Sequence, residues 1–161
     1  MFDAETTALV AAVLAACRTK GWRLATAESC TGGLVAAALT SVAGSSDVVD
    51  RGFVTYSNHA KTELLGVPEM TLCMVGAVSA ETAQAMAAGA ISRAGIDLAV
   101  SITGIAGPGG SSALKPLGLV YIGIATKENA RSERHVFSGD RSSVRHAAMI
   151  RALEMLKEAA G

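Results

Sequence analysis

Aromatic residues are scarce, at 4% of the 161 residues, which leaves too few rings to build a stacking platform for single-stranded nucleic acid and implies an aliphatic core. Charge of either sign is not in excess: the formal net charge is +0 and the pI ≈ 6.8, so no global field gathers nucleic acid or an anionic membrane. Any anion site must be local. Cysteine is limited to Cys17, Cys30 and Cys73, far apart and without a Cys-x-x-Cys pair, so neither a disulfide scaffold nor a zinc cluster is expected, and a reducing cytoplasm suits them. His59, His135 and His146 show no metal-ligand spacing either. No apolar run reaches the roughly 18 residues that span a bilayer, so no membrane partner is expected. Val13-Leu14-Ala15-Ala16-Cys17 reads like a lipoprotein cleavage box, but Asp3 and Glu5 stand where a secretory segment needs positive charge, and an amphipathic helix is expected instead.

Half of the residues are hydrophobic, enough at this length for one domain over residues 1–161 with a substantial core. The most informative stretch is Leu24 to Leu39. A short strand stops abruptly at Glu28-Ser29-Cys30-Thr31-Gly32-Gly33 and passes into an Ala/Leu helix. Backbone N–H groups at such a helix start face whatever occupies the turn, so Ser29, Cys30 and Thr31 place nucleophiles beside an anion site. Capping alone would explain one hydroxyl residue there, but not three followed by two glycines that permit close backbone approach.

In chain order, helices are expected over Ala4–Thr19, from the Ser29 turn to about Val42, from Ser57-Asn58 through Leu65, after Ser79 to near Gly95, and from Arg141 to about Ala159. Gly66-Val67-Pro68 reads as a break. Strands are expected at Trp22–Ala27, Gly52–Tyr56, Ile96–Thr103, Gly118–Thr126 and Arg131–Phe137, the last two joined too closely for anything but an antiparallel hairpin. This alternation predicts an α/β fold: a three-layer α/β/α sandwich with a mixed, mostly parallel sheet of about five strands and a C-terminal antiparallel hairpin.

Three other segments bear on chemistry. Lys61 follows the second strand, whose carboxyl end should face the Ser29 turn, and is a candidate base, although most lysines are solvated. An ordinary Lys is neutral at pH 7 only at a cost of roughly 4.6 kcal/mol, so this role requires burial to lower its pKa, and Tyr56 could assist proton transfer. The loop Gly104-Ile105-Ala106-Gly107-Pro108-Gly109-Gly110 matches neither the dinucleotide fingerprint nor the P-loop, yet follows a buried strand and suits backbone contact with a ligand. Arg141 and Arg145 lie one turn apart at a helix start, where cations oppose the dipole, so a bound phosphate or carboxylate explains them as well as a surface salt bridge does.

Taken together, Thr26-Ala27-Glu28-Ser29-Cys30-Thr31-Gly32-Gly33, Gly52-Phe53-Val54-Thr55-Tyr56-Ser57-Asn58 with Lys61, Gly76-Ala77-Val78-Ser79, Ser101-Ile102-Thr103-Gly104-Ile105-Ala106-Gly107-Pro108, Lys115-Pro116-Leu117-Gly118 and Phe137-Ser138-Gly139-Asp140-Arg141 resemble the CinA carboxy-terminal domain family over nearly the whole chain. Ser111-Ser112-Ala113-Leu114 departs from the acidic residues the family has before its Lys-Pro pair. The resemblance implies a stand-alone nicotinamide mononucleotide deamidase of pyridine-nucleotide salvage, needing no metal or cofactor and lacking the extra N-terminal domain of larger members. It also implies Ser29 as nucleophile, Lys61 as base and Tyr56 as a supporting proton-transfer group. Thr31, Gly32 and Gly33 would hold the oxyanion, Thr103, Gly104 and Ala106 the nucleotide, and Arg141 and Arg145 its phosphate.

Two other classes fit the same residues: a nucleotide-binding module without turnover, and an assembly domain whose apolar helix faces serve only contact. A homo-oligomer suits the Ala- and Met-rich stretch Glu81 to Ala90, as does plain core packing. Cys30 is an alternative nucleophile if a helix N-terminus lowers its thiol pKa.

Overall fold

A computed structural model describes residues 1–161. Helix α1 (Ala4–Lys20) starts at Asp3, whose carboxylate accepts the Thr6 N–H, and stops at Gly21 in the left-handed region (φ 66°). Its buried residues Thr6, Val10, Val13, Leu14 and Cys17 recur every three or four positions, one face of a helix laid on the core. Strand β1 (Leu24–Glu28) is buried throughout. After the Ser29 turn come α2 (Leu34–Thr40), a short 3-10 turn at Ser45–Asp47 and β2 (Val49–Val54). Then follow α3 (Asn58–Leu65), α4 (Glu69–Val75), α5 (Ala80–Ala94), β3 (Leu98–Gly104), β4 (Leu119–Thr126), β5 (Ala130–Val136) and α6 (Arg141–Ala160).

The five strands lie in the order β2-β1-β3-β4-β5, with β2, β1 and β3 parallel and β4 and β5 antiparallel. The expected three-layer sandwich, mixed sheet and terminal hairpin are therefore present. Helices α1, α2 and α6 pack together on one face, while α5 covers the other with α3 and α4 beside it. The first face holds an aliphatic cluster that includes Val13, Leu14, Leu39, Leu98, Met149 and Leu153. Each such side chain is worth about 1.5–3 kcal/mol on burial. A smaller cluster around Ala27, Leu65, Met86 and Ala90 fills the second face. There the stretch Glu81 to Ala90 is used within the chain: Ala83, Met86, Ala87 and Ala90 are buried, and Gly89 lets α5 approach the Leu65 carbonyl more closely than any side chain would allow.

Helix α4 was not expected, because Pro68 reads as a breaker. It is instead the N-cap, where a fixed φ of −61° suits a helix entry and no backbone N–H is needed. Strand β2 begins at Val49 and ends at Val54, earlier than its apolar pattern suggested, with an irregularity in its pairing between Leu24 and Ala25. Strand β5 is pinned to α6 through Glu133, which accepts hydrogen bonds from Arg151 and pairs with His135. The Arg151 guanidinium beside it holds the Glu133 carboxyl down to about 2. No helix is long and apolar enough to cross a membrane.

Strand β1 lies between β2 and β3, so the chain leaves its carboxyl end toward one neighbour and returns on the other side. Ligand sites collect at this kind of switch point, at the carboxyl ends of the parallel strands. Ser29, Thr55 and the loop after Gly104 all lie there.

Candidate active site

Ser29 follows β1 directly. Its own N–H donates to the Ile102 carbonyl (2.9 Å), and its carbonyl accepts the Gly32 N–H (3.0 Å), closing a sharp bend. Gly32 (φ 62°) and Gly33 (φ 97°) occupy backbone regions that side chains disfavour, which explains the glycine pair.

Lys61 reaches this bend from the first turn of α3, which Ser57 caps by accepting the Ala60 N–H. The lysine is only 1% exposed, yet no carboxylate partners it. Its Nζ lies 3.0 Å from Ser29 Oγ and donates to the Thr55 carbonyl at 2.8 Å. Burial pushes the ammonium pKa below its ordinary value, since desolvation disfavours the charged form. A neutral amine in this position keeps its donation to Thr55 and turns its lone pair to the serine hydroxyl. An amine so placed can activate the hydroxyl as a nucleophile. Cys30 is a different case: burial pushes its thiol up to about 11, outweighing the nearby positive charge of Arg145, so it stays protonated at neutral pH.

A cavity of about 260 Å³ opens onto Ser29 and Lys61 and is walled by Cys30, Asn58, Ala77 and Val78 on one side and by Thr103 to Gly107 on the other. Thr103 donates to the Ala77 carbonyl (2.7 Å), tying the two walls together. Tyr56 and Arg141 stand at the mouth. Arg141 donates from Nη1 to the Gly107 carbonyl (2.7 Å) and from Nη2 to the Tyr56 hydroxyl (2.9 Å), leaving its charge without a carboxylate partner. Tyr56 is 61% exposed, and its hydroxyl bonds Arg141 rather than Ser29 or Lys61.

Ser29, Lys61, Tyr56, Thr103, Gly104, Ala106 and Arg141 thus share one cavity, while Thr31, Gly32, Gly33 and Arg145 do not line it. Arg145 turns inward and donates to the Thr31 carbonyl (2.8 Å), bracing the bend from behind. Gly33 N–H is already given to the Glu28 carboxylate (3.1 Å), and Gly32 N–H to Ser29. Of the backbone donors near the serine, those of Cys30 and Thr31 are the ones with no acceptor in the protein. Sequence reasoning missed Asn58, whose position one residue after a helix cap gave no signal, and Glu28, whose partners lie five to eight residues ahead. A larger cavity of about 430 Å³ lies at the far end of the sheet beside Trp22, Asp97 and Lys127, and contains no comparable nucleophile and base.

The chain matches the profile of the CinA C-terminal domain over residues 6–160. It belongs to that family. It is 54% identical to the nicotinamide-nucleotide amidohydrolase PncC of Enterobacter agglomerans over 141 residues, 87% of this chain and 86% of that one. It is 55% identical over 139 residues to a putative competence-damage inducible protein of Caldicellulosiruptor bescii. The match spans about a third of that protein's length, 34%, and the same share of its relative from Caldicellulosiruptor saccharolyticus. The solved structure of the competence/damage inducible protein CihA from Agrobacterium tumefaciens superposes with a TM-score of 0.95 at 46% identity, covering 99% of this chain and 98% of that one.

Proposed function

We propose that this CinA-family domain is an amidohydrolase that converts nicotinamide mononucleotide to nicotinate mononucleotide and ammonia, with Ser29 as nucleophile and Lys61 as base, in pyridine-nucleotide salvage. The observation that carries this reading is the 3.0 Å approach of a buried lysine without a carboxylate partner to a serine on a sharp bend. The name of the Enterobacter relative supplies the substrate class.

In the first half-reaction Ser29 Oγ attacks the carboxamide carbon while its proton passes to Lys61 Nζ. The unengaged N–H of Cys30, which lines the cavity, takes the developing oxyanion, a role that the resemblance placed on Thr31, Gly32 and Gly33. Lys61 then gives its proton to the departing nitrogen, the C–N bond breaks and ammonia leaves an ester on Ser29. In the second half water attacks that ester, Lys61 accepts the water proton, and the serine oxygen leaves with that proton restored. A cavity of about 260 Å³ is smaller than the roughly 300–1,000 Å³ of most ligand pockets, so it takes the amide-bearing ring while the ribose and phosphate lie across the mouth. Backbone at Thr103, Gly104 and Ala106 lines that path, and Arg141 meets the phosphate. Residues 1–161 act as one catalytic domain.

The test is ammonia release from nicotinamide mononucleotide by the wild type and by Ser29→Ala and Lys61→Ala. Steady release by the wild type and none above background from the variants is expected; full activity in either variant ends the assigned mechanism. Saturable binding without product would favour a non-catalytic nucleotide-binding module.

A further inference from the structure

Glu28 directly precedes the proposed nucleophile, and its side chain is 0% exposed with no Lys or Arg among its partners. A carboxylate buried without a cation is costly unless hydrogen bonds replace its hydration. Four donors do so. Oε2 accepts the N–H groups of Gly33 (3.1 Å) and Val35 (3.1 Å), and Oε1 accepts the Ala36 N–H (2.9 Å) and the Thr26 hydroxyl (3.0 Å). These backbone groups are orphans of the first turn of α2, which Gly33, lacking a side chain, cannot satisfy as N-cap. A strand residue therefore caps the helix from a distance.

The reach of this cap has a geometric effect. Drawing Glu28 onto the start of α2 closes the intervening Ser29–Gly32 segment into a bend, pinned as well by the Ser29 and Gly32 N–H bonds. It also consumes the donors at the helix start, while the N–H of Cys30, at the cavity wall, has no acceptor in the protein. The neighbouring strand makes room: a Cβ at Gly52 would lie 2.9 Å from Ala36 Cβ and 3.0 Å from Thr26 Oγ1, tighter than ordinary packing allows.

We propose that Glu28, with Thr26 behind it, is a positioning residue for amide hydrolysis: its carboxylate fixes the bend that aims Ser29 and leaves the Cys30 N–H at the cavity wall for the oxyanion. This rests on the reaction proposed above. A helix cap and nothing more is the competing role, and kinetics separate the two. Glu28→Gln keeps the shape but sets an amide N–H against backbone N–H donors. Because loss of one well-aimed oxyanion donor costs about 100- to 1,000-fold in kcat, Glu28→Gln is expected to lower kcat about 100-fold. KM stays within about threefold, and the acid limb of the pH profile, set by the untouched Lys61, does not move. A folded Glu28→Gln protein with wild-type kcat, or with its loss confined to KM or to melting temperature, overturns the proposal.

If Glu28→Gln does not fold, Thr26→Val decides, removing one of the four bonds with little change of shape. A several-fold fall in kcat at unchanged KM is expected, and unchanged kcat overturns the proposal. Failure of the substrate assignment is read separately with phenylmethylsulfonyl fluoride. Labelling joins Ser29 Oγ to sulfur, expels fluoride and passes the hydroxyl proton to Lys61. Slower labelling in the variants, with no ammonia from the wild type, keeps the positioning role and removes the substrate; labelling at the wild-type rate overturns the positioning role.

Discussion

The two sides of the site are built on opposite terms. On the inner side, Ser29 and Lys61 meet at the base of the cavity, where the lysine is 1% exposed. On the outer side, Tyr56 is 61% exposed and Arg141 reaches it across open surface. In the proposed mechanism dehydration is what frees the inner lysine to act as a base, because a solvated lysine would hold its proton at neutral pH. The outer pair offers what dehydration cannot, a cation still free to meet an anion at the mouth. The contrast teaches that turnover should depend on the inner side and substrate affinity on the outer, and each prediction below probes one side against the other.

The largest effect is expected from Lys61→Met. Removing the base should lower kcat by about 10³- to 10⁴-fold with little change in KM, measured by ammonia release. The fold should tolerate the change well, since an apolar chain of similar length replaces a buried amine. A loss that falls in KM instead would erase the distinction between the two sides.

Titration sharpens the same point. The proposed mechanism needs the neutral amine, so kcat/KM should rise with pH through the depressed Lys61 pKa and then level off. Stability follows a related rule. Between that depressed value and the ordinary lysine value of about 10.4, the unfolded chain holds a proton that the folded chain has released, so stability rises with pH across this window. The slope contributed by this one group is about 1.4 kcal/mol per pH unit at most. Because the buried thiols of Cys17 and Cys30, raised to about 11, pull the other way above about pH 9 in both proteins, chemical denaturation at several pH values should show that slope as the difference between the wild type and Lys61→Met.

These outcomes also mark how far the sequence can be read. Ser29 and its glycines were legible because a nucleophile on a bend between strand and helix leaves a local signature, and Lys61 because the carboxyl ends of parallel strands converge. Glu28 was not, because its partners at Gly33, Val35 and Ala36 become neighbours only after the bend has formed. Arg145 carried the signal of an anion-binding cation but spends itself on the Thr31 carbonyl. Helix α4 was hidden by a proline that starts a helix as readily as it stops one. The sheet was read more surely than the site: the almost unbroken apolar run of β3 announces a strand buried on both faces, whereas side chains that meet across loops announce nothing.

On the outer side, Arg141→Ala should raise KM for the mononucleotide about tenfold, in line with a charge-assisted hydrogen bond of about 1.5–3 kcal/mol weakened by exposure. The same substitution should leave kcat within about threefold, and should matter far less for the nucleoside that lacks the phosphate. An equal loss on both substrates would show that Arg141 shapes the mouth without meeting the anion.

Tyr56→Phe is the most delicate comparison, because the resemblance to the family assigns Tyr56 to proton transfer while its hydroxyl here accepts from Arg141 at 2.9 Å. Removing that hydroxyl leaves the ring in place and leaves Arg141 anchored to the Gly107 carbonyl. If Tyr56 belongs with the outer side, kcat/KM should fall by about three- to tenfold, most of it through KM, and the pH profile should keep its wild-type acid limb. If it relays a proton, the loss should approach the 10²- to 10⁴-fold typical of a missing general acid or base and should lie in kcat. The geometry favours the smaller effect, since a group this exposed and engaged with a guanidinium must swing inward before it can touch either Ser29 or the departing nitrogen.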